Sequence, residues 1–302
     1  MADKQIMGVI AIILILGLLG VYYFLPFNEL EFSVNPGNYN FSLDNSSDTL
    51  QFYPNMRYSD SNISYYIYNC SLKKTQDMKD AFKILENLTV LNFYPVSSNE
   101  EILITCNDTK RFNKGMFVAG EGGIPEAVHS GKYNVILKGK ILLIEESNCE
   151  RPNVAIHELL HALGFQHSSN PNNLMYNYTK CSQVIGDEIP ALINEIYSVE
   201  SLPDLAFENV SAYIHGRKLD LNISVRNIGI ADSKDSVIII STDNKEVSEF
   251  EVNELKIGGG KMITMTNIWL NKISISQINL QIDSNDLELS KENNFVSLEI
   301  KK

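Results

Sequence analysis

Basic residues are scarce in this chain: 25 Lys and Arg stand against 37 Asp and Glu, a net charge of −12. Such a surface repels phosphate backbones and no basic stripe overrides it, which excludes nucleic acid as a partner. Cysteine is rare as well, and none of Cys70, Cys106, Cys149 and Cys181 forms the C-x-x-C pair of a zinc knuckle or redox motif. No repeat of fixed period is visible. With 44% apolar and 21% charged residues, wholesale disorder, collagen and coiled coil are all excluded. A length of 302 residues suits about two domains. Histidine is scarce too and the most uneven in placement, because three of the five lie between positions 157 and 167.

Only one long hydrophobic run occurs. Ile6 to Leu25 carries no charge over twenty residues, enough to cross a bilayer core of roughly 30 Å as a helix. Tyr22 and Tyr23 stand at its far end, where amphipathic rings favour the interface. Lys4 precedes the run, Glu29 and Glu31 follow it, and no Lys or Arg returns before Arg57, which orients the N-terminus inward and the rest outward. The expectation is a signal-anchor over residues 1–27, single-pass in the cell membrane, with the remainder extracellular. A cleaved signal peptide, giving a secreted protein, is the rival, although the run ends in bulky residues where a cleavage site wants small ones. Nine Asn-x-Ser/Thr sequons, at Asn40, Asn45, Asn62, Asn69, Asn87, Asn107, Asn177, Asn209 and Asn222, exceed the roughly four expected by chance and agree with a glycosylated exterior. Of the three ways to pair four cysteines, Cys70–Cys106 with Cys149–Cys181 closes two loops of thirty-odd residues, the second bracketing the histidines.

Residues 28–60, rich in Asn, Ser, Asp and Pro, read as a stalk or irregular lead-in. A domain over 61–200 follows. Its strands are expected at Ile63–Tyr68, Leu91–Val96, Glu101–Thr105, Val135–Leu137 and Lys140–Glu145, with a loop at Gly120–Pro125. Helical spacing of Met78, Ala81, Phe82, Leu85 and Leu88 predicts one helix, and two more are expected over about 152–163 and 187–197. From Leu202-Pro203 the texture changes to short alternating runs separated by turns, and seven or so strands over 203–302 argue for an all-β sandwich.

The chemistry lies in His157-Glu158-Leu159-Leu160-His161-Ala162-Leu163-Gly164-Phe165-Gln166-His167. Four residues apart on a helix, His157 and His161 project from one face and can grip one ion. Gly164 lets the helix stop and the backbone turn, so that His167 returns as a third ligand. Three imidazoles around one zinc leave a fourth position for water, whose pKa zinc lowers toward roughly 7. Glu158 stands beside the metal site, placed as the general base that takes the water's proton and hands it to the departing amine. A purely structural zinc site is the alternative, but it has no use for Glu158 and would close the sphere with a fourth protein ligand.

This segment resembles a metzincin zinc metallopeptidase, closest to the matrixin branch. The elongated motif matches at every fixed position, Ser168 follows the third histidine as in matrixins, and Asn173-Leu174-Met175-Tyr176 resembles the family's Met-turn. The resemblance covers about residues 61–200. It implies an α+β domain with a mixed sheet and three helices, one catalytic zinc, Met175 as the apolar floor beneath it, and protein or peptide substrate. Substrate would lie as an extended strand along a sheet edge, for which Lys140–Glu145 is the candidate, with Glu145 and Glu146 as an acidic rim. Asn177 replaces the usual proline after the Met-turn tyrosine and stands where some branches keep a tyrosine ligand. The family's structural zinc and calcium motifs are not recognisable, so Ca2+ is left open with no ligands assigned. His129 reads as a surface residue.

Pro203-Asp204-Leu205, Val225-Arg226-Asn227-Ile228-Gly229 and Glu292-Asn293-Asn294 resemble CARDB, an adhesion-type, immunoglobulin-like domain of archaea and bacteria. That implies a cell-surface ligand or a spacer, and an archaeal surface. His215 reads as a surface residue there. Two functions follow: a membrane-anchored zinc endopeptidase, or a surface adhesion protein whose metallopeptidase fold is inert, with Glu158 as the feature that separates them. The anchor is checked on the full-length mature chain, which is expected to stay with membranes until detergent is added; release without detergent would mean the run is cleaved.

Overall fold

The computed structural model describes residues 13–16, 27–32, 50–109, 111–113, 116–144, 146, 149–243, 245–272 and 274–300. Of the expected membrane helix only Ile13–Leu16 falls inside this set, helical and exposed, and the rest lies outside the described residues. Among the described residues no helix is long and apolar enough to cross a membrane. Two compact units emerge. One holds Val34–Pro203 and Ile228–Ala231; the other holds Asp204–Asn227, Asp232–Lys302 and, ahead of both in the chain, strand β1 (Phe27–Phe32).

The first unit runs β2 (Met56–Tyr58), β3 (Asn62–Tyr68), α1 (Leu72–Leu88), β4 (Asn92–Pro95) and β5 (Ile102–Cys106). A hairpin of β6 (Arg111–Asn113) and β7 (Met116–Val118) follows, then β8 (Gly120–Ser130), β9 (Tyr133–Leu143), α2 (Asn153–Ala162) and α3 (Glu188–Ile196). Strands β4, β3, β5 and β9 pair in parallel, β2 joins the first part of β9 in parallel, and β8 runs antiparallel along β9. Ser71 caps α1, its Oγ accepting from the Lys74 amide, and the helix buries Met78, Ala81, Phe82 and Leu85 at the spacing read from sequence. Helix α2 is buried at every one of its ten positions, including the polar Asn153, His157, Glu158 and His161. It packs on α1, β8 and β9. Two disulfides, Cys70–Cys106 and Cys149–Cys181, tie this unit together.

Several expectations need correction. The supposed lead-in contains β1, a Gln51–Phe165 bridge and the buried strand β2, so the first unit is ordered well before residue 61. A three-residue strand is too short to show periodicity, and what fixes it is Arg57. This buried guanidinium donates to the carbonyls of Tyr58, Ser59, Ile196 and Val199 and lies 4.4 Å over the Tyr197 ring. Gly120–Pro125, expected as a loop, is part of β8, whose register shifts between Gly123 and Glu126 accommodate the proline. The two strands expected at 135–137 and 140–145 are one continuous β9. Because β5 and β8 flank β9, Lys140–Leu143 is interior and β8 is the edge. Of the expected acidic rim, Glu145 lies outside the described residues, and Glu146 accepts from Ser71 Oγ at the start of α1.

The second unit is two four-stranded antiparallel sheets. One is ordered β1, β14 (Gly260–Trp269), β11 (Lys218–Asn227), β10 (Leu205–His215); the other β13 (Lys245–Val252), β12 (Ser236–Thr242), β15 (Gln277–Ser284), β16 (Phe295–Glu299). Alternating residues of both sheets, among them Leu219, Leu221, Ile223, Ile238, Ile240, Ile263, Leu280 and Ile282, share one core. Among the described residues eight strands thus form the unit, one of them contributed by the region expected to be a stalk.

Gly139 lies within β9, and a Cβ there would stand 2.2 Å from Tyr58 Oη and 3.4 Å from Ala162 Cβ. Tyr58 is fully buried and donates to the Ala162 carbonyl at 3.0 Å, so its ring cannot yield. Gly139→Ala is expected to cost about 1–3 kcal/mol in urea unfolding. Adding Tyr58→Phe should return part of that loss; strictly additive losses would show that the hydroxyl is not what excludes the methyl group.

Candidate metal centre

Helix α2 sets His157 and His161 one turn apart on the same face. It then stops. The Leu163 amide bonds back to the Leu159 and Leu160 carbonyls, Gly164 to His161 and Phe165 to Leu160. Gly164 adopts φ +97°, and a Cβ there would press on Met56 at 3.0 Å, so both backbone conformation and space demand glycine. The reversed chain is held by antiparallel contacts with 50–52, Phe52 N donating to Gly164 O and Gln166 N to Leu50 O. His167 is thereby returned to the helix.

The three Nε2 atoms form a near-equilateral triangle, His157 to His161 at 3.0 Å and His167 to each of them at 3.2 Å. Two of the rings have their tautomers fixed. His157 Nδ1 lies 2.8 Å from Leu174 O and His161 Nδ1 lies 2.8 Å from Phe165 O. A carbonyl only accepts, so each Nδ1 carries the hydrogen and each neutral ring turns its Nε2 lone pair inward. Burial reinforces this by holding His157 down to about 4 and lowering His161 and His167 as well. The inward lone pairs of His157 and His161 repel one another at such spacing unless a cation, or a hydrogen on His167 Nε2, lies among them. Tetrahedral zinc, with Zn–N of about 2.0–2.1 Å, sets its nitrogens roughly 3.3 Å apart, close to this triangle. The donor set and its spacing therefore fit zinc, and these residues could hold a metal ion.

Glu158 points to a different neighbour. Its side chain is buried against the glycine-rich start of β8, where a Cβ on Gly120 would fall 2.6 Å from Glu158 Cγ and one on Gly122 would fall 2.2 Å from its carbonyl oxygen. Only glycine lets the edge strand come this close. Desolvation raises the Glu158 carboxyl to about 8, offset in part by a hydrogen bond from the Gly122 backbone.

The turn at Asn173–Tyr176 ties first and third histidines together. Leu174 O receives His157 Nδ1, and Met175 O receives the amide of Ser168, the residue after His167. Asn173 Oδ1 accepts from Met175 N while its amide donates to Glu188 Oε1, which locks the turn to the start of α3. Met175 itself is buried in the core of the unit. Cys149–Cys181 and the Asn153 amide, donating to Lys180 O at 2.8 Å, fasten the chain after the turn to the start of α2.

Among the residues singled out from sequence, His157, His161 and His167 converge, Gly164 makes the reversal, and Glu158 and Met175 lie buried nearby in sequence. His129 and His215 are exposed and stand apart, His129 near Asn134 and His215 near Asp220. Asn177 is exposed. Sequence reasoning missed Phe52, stacked on the His161 ring at 5.9 Å, and the carbonyls of Phe165 and Leu174. It also missed Gly120 and Gly122, which it read as part of a loop.

A mixed-sheet domain with a three-histidine site built on a helix and its reversal is thus followed by a double β-sheet domain. Comparison with known families gives the same division. Residues 57–197 match the matrixin family and residues 202–297 match the CARDB family. No curated protein matches the chain. Among solved structures, the CARDB domain of PF1109 from Pyrococcus furiosus, solved with di-metal ions, aligns at 16% identity and TM-score 0.29, covering 33% of this chain and 87% of that one. Myroilysin aligns at 13% identity and TM-score 0.24, covering 37% of this chain and 52% of that one. OgpA from Akkermansia muciniphila, solved with an O-glycopeptide substrate, aligns at 9% identity and TM-score 0.23, covering 84% and 96%. At these scores the likenesses carry no weight; the assignment rests on the two family matches.

The raised Glu158 carboxyl makes a pH prediction for the zinc-free protein in chelator. A carboxyl whose folded pKa lies near 8, above its ordinary 4.5, contributes fully to stability below 4.5 and loses that contribution as pH rises through 8. Glu158→Gln cannot ionise, and the three histidines cancel between the two proteins. The variant should therefore match the parent at pH 5 and exceed it at pH 8 by on the order of 2–4 kcal/mol in urea unfolding. A difference that does not change with pH would mean the carboxyl is well solvated.

Proposed function

We propose that this chain is a zinc-dependent endopeptidase acting on extracellular or cell-surface proteins. The observation that carries the reading is the triangle of Nε2 atoms, with the lone pairs of His157 and His161 turned inward by two backbone carbonyls. His157, His161 and His167 would hold the zinc ion. When bound, zinc supplies a Lewis acid that activates water and polarises a carbonyl. The matrixin match supports a metallopeptidase domain and, with it, protein substrates.

The protein's own residues do the remaining work. Glu158 accepts the proton that the attacking water must lose and returns it to the amine leaving group, as general base and then general acid. Its dry seat against Gly120 and Gly122 raises the affinity of its carboxylate for a proton, and a nearby cation draws that affinity back down. That balance leaves the group able both to take and to give a proton near neutrality. Strand β8 is the edge that an extended peptide would join. Among the described strands it pairs only with β9, and its first residues lie against Glu158, so a peptide added there passes the site as a strand.

Residues 1–27 are proposed as the membrane anchor and the two folded units as its external part. Six of the seven sequon asparagines within the described residues, Asn62, Asn69, Asn87, Asn177, Asn209 and Asn222, are exposed, as glycan attachment would require. Two disulfides and no free cysteine among the described residues suit an oxidising exterior. The CARDB domain is proposed to bind a surface component or to serve as a spacer.

The test is cleavage of casein or a quenched peptide. Chelator should abolish cleavage and zinc restore it. Glu158→Ala should keep one zinc per chain by metal analysis while kcat/KM falls about 10²–10⁴-fold. Cleavage that survives chelator, or a Glu158→Ala protein of full activity, would remove the peptidase reading.

A further inference from the structure

The reversal that carries His167 back to helix α2 does not stand on its own. Residues 50–52 lie antiparallel beside it. The Gln166 amide donates to Leu50 O at 3.0 Å, the Phe52 amide donates to Gly164 O at 2.9 Å, and Gln51 bridges Phe165 between them. Phe165 O is the acceptor that fixes the tautomer of His161, so this short ladder supports a carbonyl on which the metal centre depends. The Phe52 side chain lies on the His161 ring itself, with centroids 5.9 Å apart and planes 26° from parallel. Residues 50–56 precede the stretch 57–197 that matches the matrixin family, so nothing in that match accounts for them.

A separate set of bonds holds the ladder in place. Gln51 is 5% exposed, and its amide grips both backbone groups of Met56: Nε2 donates to Met56 O at 2.7 Å and Oε1 accepts from Met56 N at 3.0 Å. That closes residues 51–56 into a loop. Asn55, at φ +54° in its turn, donates from Nδ2 to Lys132 O, and Asn134 Nδ2 donates to Pro54 O. These two bonds tie the turn to the β8–β9 hairpin. Met56, fully buried, then stands against Gly164 from the other end of the loop. Both ends thus bear on the reversal, Phe52 through backbone and ring and Met56 through its side chain.

We propose that Gln51 and Phe52 are positioning residues of the metal centre. The inference rests on the zinc reading above and extends the site to a segment ahead of the matched family stretch. The hydrogen bond from Nδ1 to Phe165 O holds one point of the His161 ring but leaves the ring able to rock about that bond. A second ring packed on its face removes that freedom. A branched aliphatic side chain at position 52 would fill the space without defining a plane. Fixing the ring before an ion arrives lowers what must be ordered on binding, so the effect falls on metal affinity and ligand geometry as well as on stability. Gln51 acts one step further out, by keeping closed the loop that carries Phe52.

The test is competition for zinc between the full chain and a chromophoric chelator, together with the visible spectrum of the Co2+-substituted protein, which reports ligand geometry where zinc is silent. Phe52→Leu should weaken zinc binding at least about tenfold and shift the cobalt bands, whereas Phe52→Tyr, which keeps the ring, should hold both near the parent. Gln51→Ala should weaken binding in the same direction by a smaller factor. Phe93→Leu is the control. Phe93 is a buried aromatic stacked on Phe82, on β4 at the opposite edge of the sheet from β8. Its replacement should lower the Tm and leave zinc affinity and cobalt spectrum unchanged. Should Phe52→Leu or Gln51→Ala fail to fold, the other decides against the same control. Parent-like affinity and spectrum in Phe52→Leu, or an equal change in Phe93→Leu, overturns the positioning role and leaves the zinc reading standing; a parent chain that takes up no zinc overturns both.

Discussion

Two backbone carbonyls govern the first unit. Phe165 O and Leu174 O each receive a histidine Nδ1–H, and by doing so they decide which nitrogen of His161 and His157 faces inward. Each carbonyl has its own prerequisite. Phe165 is where it is because Gly164 reverses the chain at the end of α2, and Gly164 is pinned by Phe52 and by the Met56 side chain. Leu174 is where it is because Asn173 bonds both Met175 and Glu188. The inward lone pairs are therefore a property of the whole unit, from the segment at residue 50 to α3.

The same site shows how far burial has been taken. Helix α2 has no solvent face, and among its ten buried residues are two histidines and a glutamate. Placing such groups in dry surroundings is unfavourable, and the directions of their shifts say so: the histidines go down and the glutamate goes up. All three shifts favour the neutral form in the absence of an ion. A cation at the triangle reverses the argument for Glu158 and leaves the histidines as neutral ligands, so the cost of burial becomes a preference for the loaded state.

What could be seen in the sequence was whatever depended on side-chain type at fixed spacing. The histidine trio, Gly164, the amphipathic α1 and the alternating runs of β11, β12, β14 and β15 all announce themselves this way. Features that depend on the backbone did not. Leu174 and Phe165 contribute carbonyls, which every residue has. Strand β2 is three residues long, and its meaning comes from Arg57 reaching carbonyls near residue 196. The start of β8 looked like a loop because glycine usually marks one; here the glycines admit Glu158. The edge was misread for a related reason, since Lys140–Leu143 shows a good strand pattern but only topology tells an interior strand from a boundary.

Strand β1 precedes the first unit in the chain and yet pairs over six residues with β14 of the second, from Phe27 against Met265 to Phe32 against Gly260. In topological terms the matrixin domain is an insertion within the β-sheet unit, entered after one strand and left before the other seven. Truncation after residue 203 therefore does not yield a clean half-molecule: it strips β1 of its neighbour and leaves six residues of unpaired backbone, a template for self-association. By the same logic, a pull on the N-terminus is borne first by the β1–β14 register.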